Sequence, residues 1–345
     1  MEIDIVVPVW NRPMETRSCL IDLIDHSPSA RFILINNGSD RETERLIQDF
    51  AETLDVRALL LSTGSNRGVI SAINTGLERA EAPFIGVIRS TCNVRPGWLD
   101  PLMEVAGQRP EAGLLSPRVA DYSSKARVVP QTTRETTTCS LHALVIRKTL
   151  FDVIGGLNED LDGGLWCARD YSRRAYHAGY LTFAVDSPPV SCREEIQLGS
   201  KARREEAVQR SKSLFAETWG KENAYCIWFP KGTLVATIHE RWSTLLKGAR
   251  QGHTISLIVP HSIYRELLDH GYDHIHDNIT IPPPPRFFAE SGAEKTLASL
   301  RQGRQQEATA VAGIDGISFP GVAQSIPYSA LEKMIRDTER ERYNH

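Results

Sequence analysis

The chain has 345 residues, 41% apolar and 24% charged, with a net charge of −3. That is the balance of an ordinary globular protein with room for two domains, and it leaves no broad basic surface for nucleic acid. No apolar run approaches the roughly 18 residues that suggest a membrane span, and no basic, apolar and small-residue series marks a signal peptide.

The pattern predicts a buried strand over Ile3–Val9, a helix over Glu15–Leu23, a strand over Arg31–Ile35 and an amphipathic helix over Arg41–Thr53, opened by Ser39-Asp40 as a cap. Val56–Leu61 reads as a strand, Val69–Ala80 as a helix, Phe84–Ile88 as a strand and Trp98–Gln108 as a helix. This alternation predicts a mostly parallel sheet with helices on both faces. Leu114–Val119 and Ala143–Ile146 read as strands, with a polar, Thr-rich loop over Ser123–Thr138 between them. A short helix over Lys148–Ile154 stops at Gly155-Gly156, and a second, Trp166–Ala178, stops at Gly179. Tyr180–Val185 reads as a strand ended by Pro188-Pro189, and residues 200–218 as a charged, solvated helix.

Near Lys221 the pattern restarts, which predicts domains at 1–222 and 223–345. Thr233–Ile238, Thr254–Val259 and Thr309–Ala312 read as strands, and Ser262–Asp269 and Glu294–Arg301 as helices. Pro282–Pro285 is a stiff spacer, and a final helix over Ser329–Glu341 takes Ser329 as its cap, with Glu332 at capping-box spacing. The expected fold class is α/β throughout. His261, His270, His274 and His276 lie among Asp269, Asp273 and Asp277 without a recognised metal spacing, and read as surface or turn residues rather than a zinc site. The six cysteines, Cys19, Cys92, Cys139, Cys167, Cys192 and Cys226, stand singly with no CxxC pair. They read as reduced core thiols, and the compartment as cytoplasmic.

Three strand ends carry the functional signal: Val7-Pro8-Val9-Trp10-Asn11-Arg12, then Ile35-Asn36-Asn37-Gly38-Ser39, then Ser62 running into Asn66-Arg67-Gly68 and Asn74-Thr75-Gly76. Open α/β sheets bind ligands at the carboxyl ends of their strands, so these loops are expected to converge on one crevice. Taken singly, the Asn and Gly clusters are turn chemistry. In this order, ahead of Pro96-Gly97-Trp98-Leu99, they resemble the N-terminal half of the family 2 glycosyltransferases, which have a GT-A fold. The resemblance covers about the first two thirds of the chain. It implies a GT-A-like nucleotide-binding sheet followed by a smaller C-terminal α/β domain.

The resemblance also assigns roles. In similar enzymes the loop after the first strand, here Pro8, Val9, Trp10, Asn11 and Arg12, and an acidic residue after the second grip the nucleoside. Asn36 takes the acid's place, and Asn66, Gly68 and Asn74 lie on the nucleotide side. The family usually neutralises the donor diphosphate with a divalent cation held by Asp-x-Asp. Counted back from Pro96, those positions fall on Arg89 and Thr91, and a second ligand, often a His, falls near Cys192-Arg193. Mn²⁺ or Mg²⁺ is left without its usual ligands and no cofactor is assigned. Arg89, with Arg193, becomes the candidate diphosphate clamp, the alternative being surface arginines of a degenerate pocket. Aligned on Arg174 and Gly179-Tyr180, the usual base position falls on Ala168. Asp170, at the second acidic position, is the candidate base or else a helix cap, with Asp160 and Asp162 next in line.

The implied function is transfer of a sugar from a nucleotide-sugar donor, UDP- or GDP-linked, to the hydroxyl of a glycan or small-molecule acceptor. The alternative is a non-catalytic nucleotide-sugar-binding or scaffolding relative. A Rossmann oxidoreductase is disfavoured because the first turn lacks GxGxxG. The C-terminal domain is expected to shape the acceptor side, contact a partner or make a homo-oligomer.

Overall fold

The computed structural model describes residues 2–121, 133–193, 200–284, 289–303 and 308–343, in two units, Met1–Trp219 and Gly220–His345. In the first, strands and helices alternate: β1 (Ile3–Val9), α1 (Pro13–His26), β2 (Arg31–Asn36), α2 (Arg41–Leu54), β3 (Ala58–Ser62), α3 (Val69–Leu77) and β4 (Phe84–Ile88). All seven β1 residues are buried, as befits a parallel strand covered on both faces. There follow β5 (Cys92–Asn93), α4 (Asp100–Gln108), β6 (Ala112–Asp121), β7 (Thr133–Thr136), β8 (Ala143–Arg147), α5 (Lys148–Ile154), α6 (Leu165–His177), β9 (Leu181–Cys192) and α7 (Lys201–Trp219).

The sheet order is β3-β2-β1-β4-β8-β6-β9-β5, with β7 also on β9. The β3-β2-β1-β4 half is parallel, and β8 runs antiparallel to β4 and β6. One core packs α1, α2 and α4 through Leu20, Ile47 and Leu102, and the other packs α3 and α6 through Ile73 and Tyr171. Helices therefore cover both faces, as the alternation predicts.

Three expectations for this unit change. Strand β9 runs through Pro188-Pro189 instead of ending there. In its ladder with β6, Pro117 faces Val185 but Val119 faces Val190. The prolines fall in that irregularity, where no ladder N–H is required. Part of the expected polar loop is a strand, β7, while residues 122–132 lie outside the described ones. Third, Cys92 and Cys192 form a disulfide, against the reading of six reduced thiols. The pairing of β5 with β9 sets these two residues directly opposite each other. Cys19, Cys139, Cys167 and Cys226 are free and buried.

The second unit holds β10 (Ala224–Trp228), α8 (Val235–Arg250), β11 (Thr254–Ile258), α9 (His261–Asp269), β12 (Ile279–Thr280), α10 (Ala289–Gly303), β13 (Ala308–Ala312), β14 (Ile326–Pro327) and α11 (Tyr328–Tyr343). Its five strands run parallel in the order β12-β11-β10-β13-β14. Helix α8 replaces the strand expected over Thr233–Ile238, because Ile238, Trp242, Leu245 and Ala249 recur at helical spacing and are all buried. The buried run Ala224–Trp228 is the strand that was missed. Ser329 lies inside α11, and its N–H is held instead by the Asp315 carboxylate at 3.1 Å. The histidines do not gather: His270, just past α9, bonds the Glu266 carbonyl of that helix, His274 pairs with Asp273, and His276 is buried.

Candidate functional site

The loops after β1, β2 and β3 meet at the carboxyl edge of the parallel half-sheet. Asn37 N–H donates to the Val9 carbonyl at 2.8 Å, Asn11 N–H to Ser39 Oγ at 3.0 Å and Asp40 N–H to Asn11 Oδ1 at 2.8 Å. These bonds hold Asn11 and Arg12 in left-handed backbone, φ 56 and 60, where two consecutive non-glycine residues need tertiary support. Pro13 then opens α1. Pro8 and Val9 are buried at the end of β1, and Trp10, Asn11 and Arg12 are half-buried.

Asn37, which the sequence reading treated as part of a turn, is the hub. Its Nδ2 donates to Asn66 Oδ1 and to the Gly68 carbonyl, each at 3.1 Å. Its Oδ1 accepts from Arg67 N–H at 3.0 Å and from Thr63 Oγ1 at 3.2 Å. Gly38 makes the approach feasible: a Cβ there would lie 2.4 Å from the Ser65 carbonyl carbon, and its φ is +70. Asn36 is buried, with Oδ1 accepting from Ser39 N–H at 3.0 Å. Asn66 closes its own turn by accepting from Gly68 N–H at 2.8 Å. Asn74 stands apart. Its amide donates to the Leu157 carbonyl and Glu159 Oε1 and accepts from Leu157 N–H. It fixes the loop before α6.

The other candidates lie at the end of β4 and beyond. The parallel register of β1 with β4 carries the chain after Ile88 alongside the first loop. Arg89 is 8% exposed, and its guanidinium donates to the Leu141 and Gly163 carbonyls at 3.1 and 3.2 Å. It therefore ties the β4 end to the loop that carries Asp160 and Asp162. Arg193 comes to the same place: its N–H donates to the Thr91 carbonyl at 3.1 Å. The two regions assigned to metal ligands are thus neighbours in space.

Asp170 holds neither an open position nor a helix cap. It is 5% exposed, in the second turn of α6. One carboxylate oxygen accepts from Arg174 Nε and the other from Trp219 Nε1, each at 2.9 Å. Arg174 in turn grips the Ile154 and Gly156 carbonyls. The carboxylate ties α6 to α7 and to the Gly-Gly turn. Capping falls to Asp162, whose Oδ1 accepts from Gly164 and Cys167 N–H. Asp160 is exposed.

Arg89, Thr91, Cys192 and Arg193 do not suit Mg²⁺ or Mn²⁺. Those ions take oxygen ligands, mostly carboxylates, and the four side chains offer one hydroxyl. Among the described residues no group of three or more His, Cys, Asp or Glu could hold a metal ion, and no helix is long and apolar enough to cross a membrane.

Comparison with known proteins joins this geometry to a family. Residues 4–159 match the model described as Glycosyl transferase family 2. Over 202 residues the chain is 21% identical to the glycosyltransferase AglE of Haloferax volcanii, covering 53% of this chain and 64% of AglE. The crystal structure of S. aureus TarS matches with a TM-score of 0.50 at 14% identity, over 64% of this chain and 40% of that one. The mannosyltransferase PcManGT from Pyrobaculum calidifontis, in complex with GDP-Man and Mn²⁺, matches with a TM-score of 0.45 at 14% identity, over 73% and 84%. The chain thus spans less than two thirds of AglE and less than half of the TarS chain. The family match falls on the parallel half-sheet and its convergent loops, and the first unit of this chain, similar over residues 4–159 to the family 2 glycosyltransferases, has the GT-A fold.

Proposed function

We propose that the chain transfers a sugar from a UDP- or GDP-linked donor to an acceptor hydroxyl without a divalent cation. The observation that carries this reading is the convergence of three strand-end loops on Asn37, at the sheet edge where open α/β sheets bind ligands. Arg193, beside Thr91 at the end of β9, supplies positive charge to the leaving diphosphate in place of a metal. Arg89 positions the wall through its bonds to Leu141 and Gly163. With Asp170 engaged, the exposed Asp160 is the candidate general base for the acceptor hydroxyl.

A panel of UDP, GDP and their sugars, titrated in EDTA and in Mn²⁺, tests the reading. One nucleotide class should bind with similar affinity in both. A tenfold gain with Mn²⁺, worth about 1.4 kcal/mol, overturns metal independence. Arg193→Ala should weaken the nucleoside diphosphate about 10- to 150-fold, as expected for loss of a charge-assisted bond, and leave the bare nucleoside unchanged. Equal losses for both would return Arg193 to a structural role.

A second reading is favoured by Ala168 at the usual base position and by the engagement of Asp170: the chain binds the donor and does not turn it over. Release of free nucleoside diphosphate in the presence of a range of acceptors separates the two.

A further inference from the structure

The Cys92–Cys192 bridge joins the two chain segments on which a cation would draw its ligands, and where no suitable ligands stand. Cys92 closes the turn after β4 by donating its N–H to the Arg89 carbonyl, and it is fully buried in the first core. Cys192 is partly buried at the end of β9, next to Arg193. Strand β6 also holds the end of β9, with Ala120 facing Ser191 and Asp121 facing Cys192, but the contact of that end with the segment after β4 is short. Strand β5 has two residues and pairs with β9 through Cys92–Cys192 and Asn93–Ser191. The Arg193 N–H to Thr91 bond extends that contact, and Asn93 reaches α1 through Ser18 and Asp22. The bridge is therefore the covalent part of a two-residue contact at the edge of the sheet.

We propose that this disulfide does the cross-linking that a metal would otherwise do, and that its reduction releases the diphosphate-facing wall: a thiol–disulfide switch on donor binding. The proposal rests on the donor-site reading above and names how that site is regulated. In the reducing step a dithiol thiolate attacks Sγ of Cys192, the less buried of the two cysteines, and Cys92 leaves as a thiolate that takes up a proton. The second thiol of the reagent then resolves the mixed disulfide. Two electrons and two protons pass to Cys92 and Cys192, and the reagent ends as a cyclic disulfide. A disulfide oxidant such as oxidised glutathione reverses the step. The remaining thiols stay out of the exchange, because burial pushes Cys139, Cys167 and Cys226 up to about 12 and Cys19 higher still.

The test equilibrates the whole chain with oxidised or reduced dithiothreitol. Alkylation after unfolding should label four cysteines in the oxidised form and six in the reduced form. Six labels after oxidation overturn the proposal. UDP and GDP are then titrated against both forms. The affinity of whichever binds should fall at least tenfold on reduction, and Cys192→Ser should hold the low affinity under either condition. Equal affinity with the bridge demonstrated overturns the proposal. Amide hydrogen exchange is the independent readout. Arg193 N–H, bonded to Thr91, should exchange at least tenfold faster once the bridge is reduced, and unchanged exchange overturns the switch. If neither nucleotide binds either form, the donor-site reading fails by itself, and the exchange rates still decide whether the bridge holds the wall.

Discussion

Asn37 shows how much of a binding wall one buried amide can organise. It bonds four groups on the 63–68 segment, so Asn37→Ala removes four bonds together, two of them to the exposed Arg67 and Gly68, whose backbone groups water then satisfies. A loss of about 1–2 kcal/mol in urea unfolding is expected, with nucleotide binding lost in parallel. Asp170 poses the opposite question, because a buried carboxylate on the second turn of α6 resembles a base until its partners are named. Asp170→Asn places an amide N–H against Arg174 or Trp219 and should cost about 3 kcal/mol of stability, as for one broken side of a buried ion pair. Turnover per folded molecule should hold. A collapse in kcat at unchanged stability would restore Asp170 as the base.

At the scale of elements, the sequence was legible where local pattern and tertiary demand agree. The parallel half-sheet follows from buried runs separated by amphipathic helices, and Asp40 caps α2 as its position suggests, accepting from Thr43 N–H at 2.8 Å. Legibility failed where a distant partner decides. The run from Thr233 to Ile238 looks like a strand until Trp242 and Leu245 extend its period, and two prolines look like a strand end until a shifted ladder accommodates them. The disulfide was invisible because its cysteines lie 100 residues apart and meet only through the β5–β9 pairing. Asn37 was hidden by its neighbours, since Asn-Asn-Gly-Ser reads as a turn whichever asparagine points inward. Gly38 sits at the centre of that turn. Gly38→Ala should cost about 1–3 kcal/mol, or push the second and third loops apart, because its positive φ and the nearby Ser65 backbone leave no room for a methyl. Comparison of thermal midpoints with and without nucleotide checks it.

For the molecule as a whole, acid is the condition to which the second unit should respond first. Burial, and then the charge of Arg250, push His276 from the ordinary 6.5 down to about 3. The unfolded chain therefore takes up a proton in that window that the folded unit refuses. Stability is fully present above pH 6.5 and is lost as pH falls toward 3, at about 1.4 kcal/mol per pH unit. Asp4 acts in the same direction only below its ordinary 3.8. Burial raises its pKa, but bonds from Arg31 and from the Glu81 and Ala82 N–H groups outweigh that. Urea midpoints at pH 7 and pH 5 should differ accordingly, and His276→Gln should flatten the difference.

The strand order of the second unit carries a consequence for synthesis. Strand β10 is made first and ends at the middle of its sheet, between β11 and β13. While the ribosome is still adding α10, one whole edge of Ala-Tyr-Cys-Ile-Trp has no neighbour. It is uncharged, rich in β-forming residues and open to any other nascent strand. Only when Ala308–Ala312 clears the exit tunnel can that edge close. A chain stopped after Gly303 should therefore collect in the insoluble fraction, whereas one carried through α11 should not. In the cell, that interval is when this protein would depend on a holding chaperone.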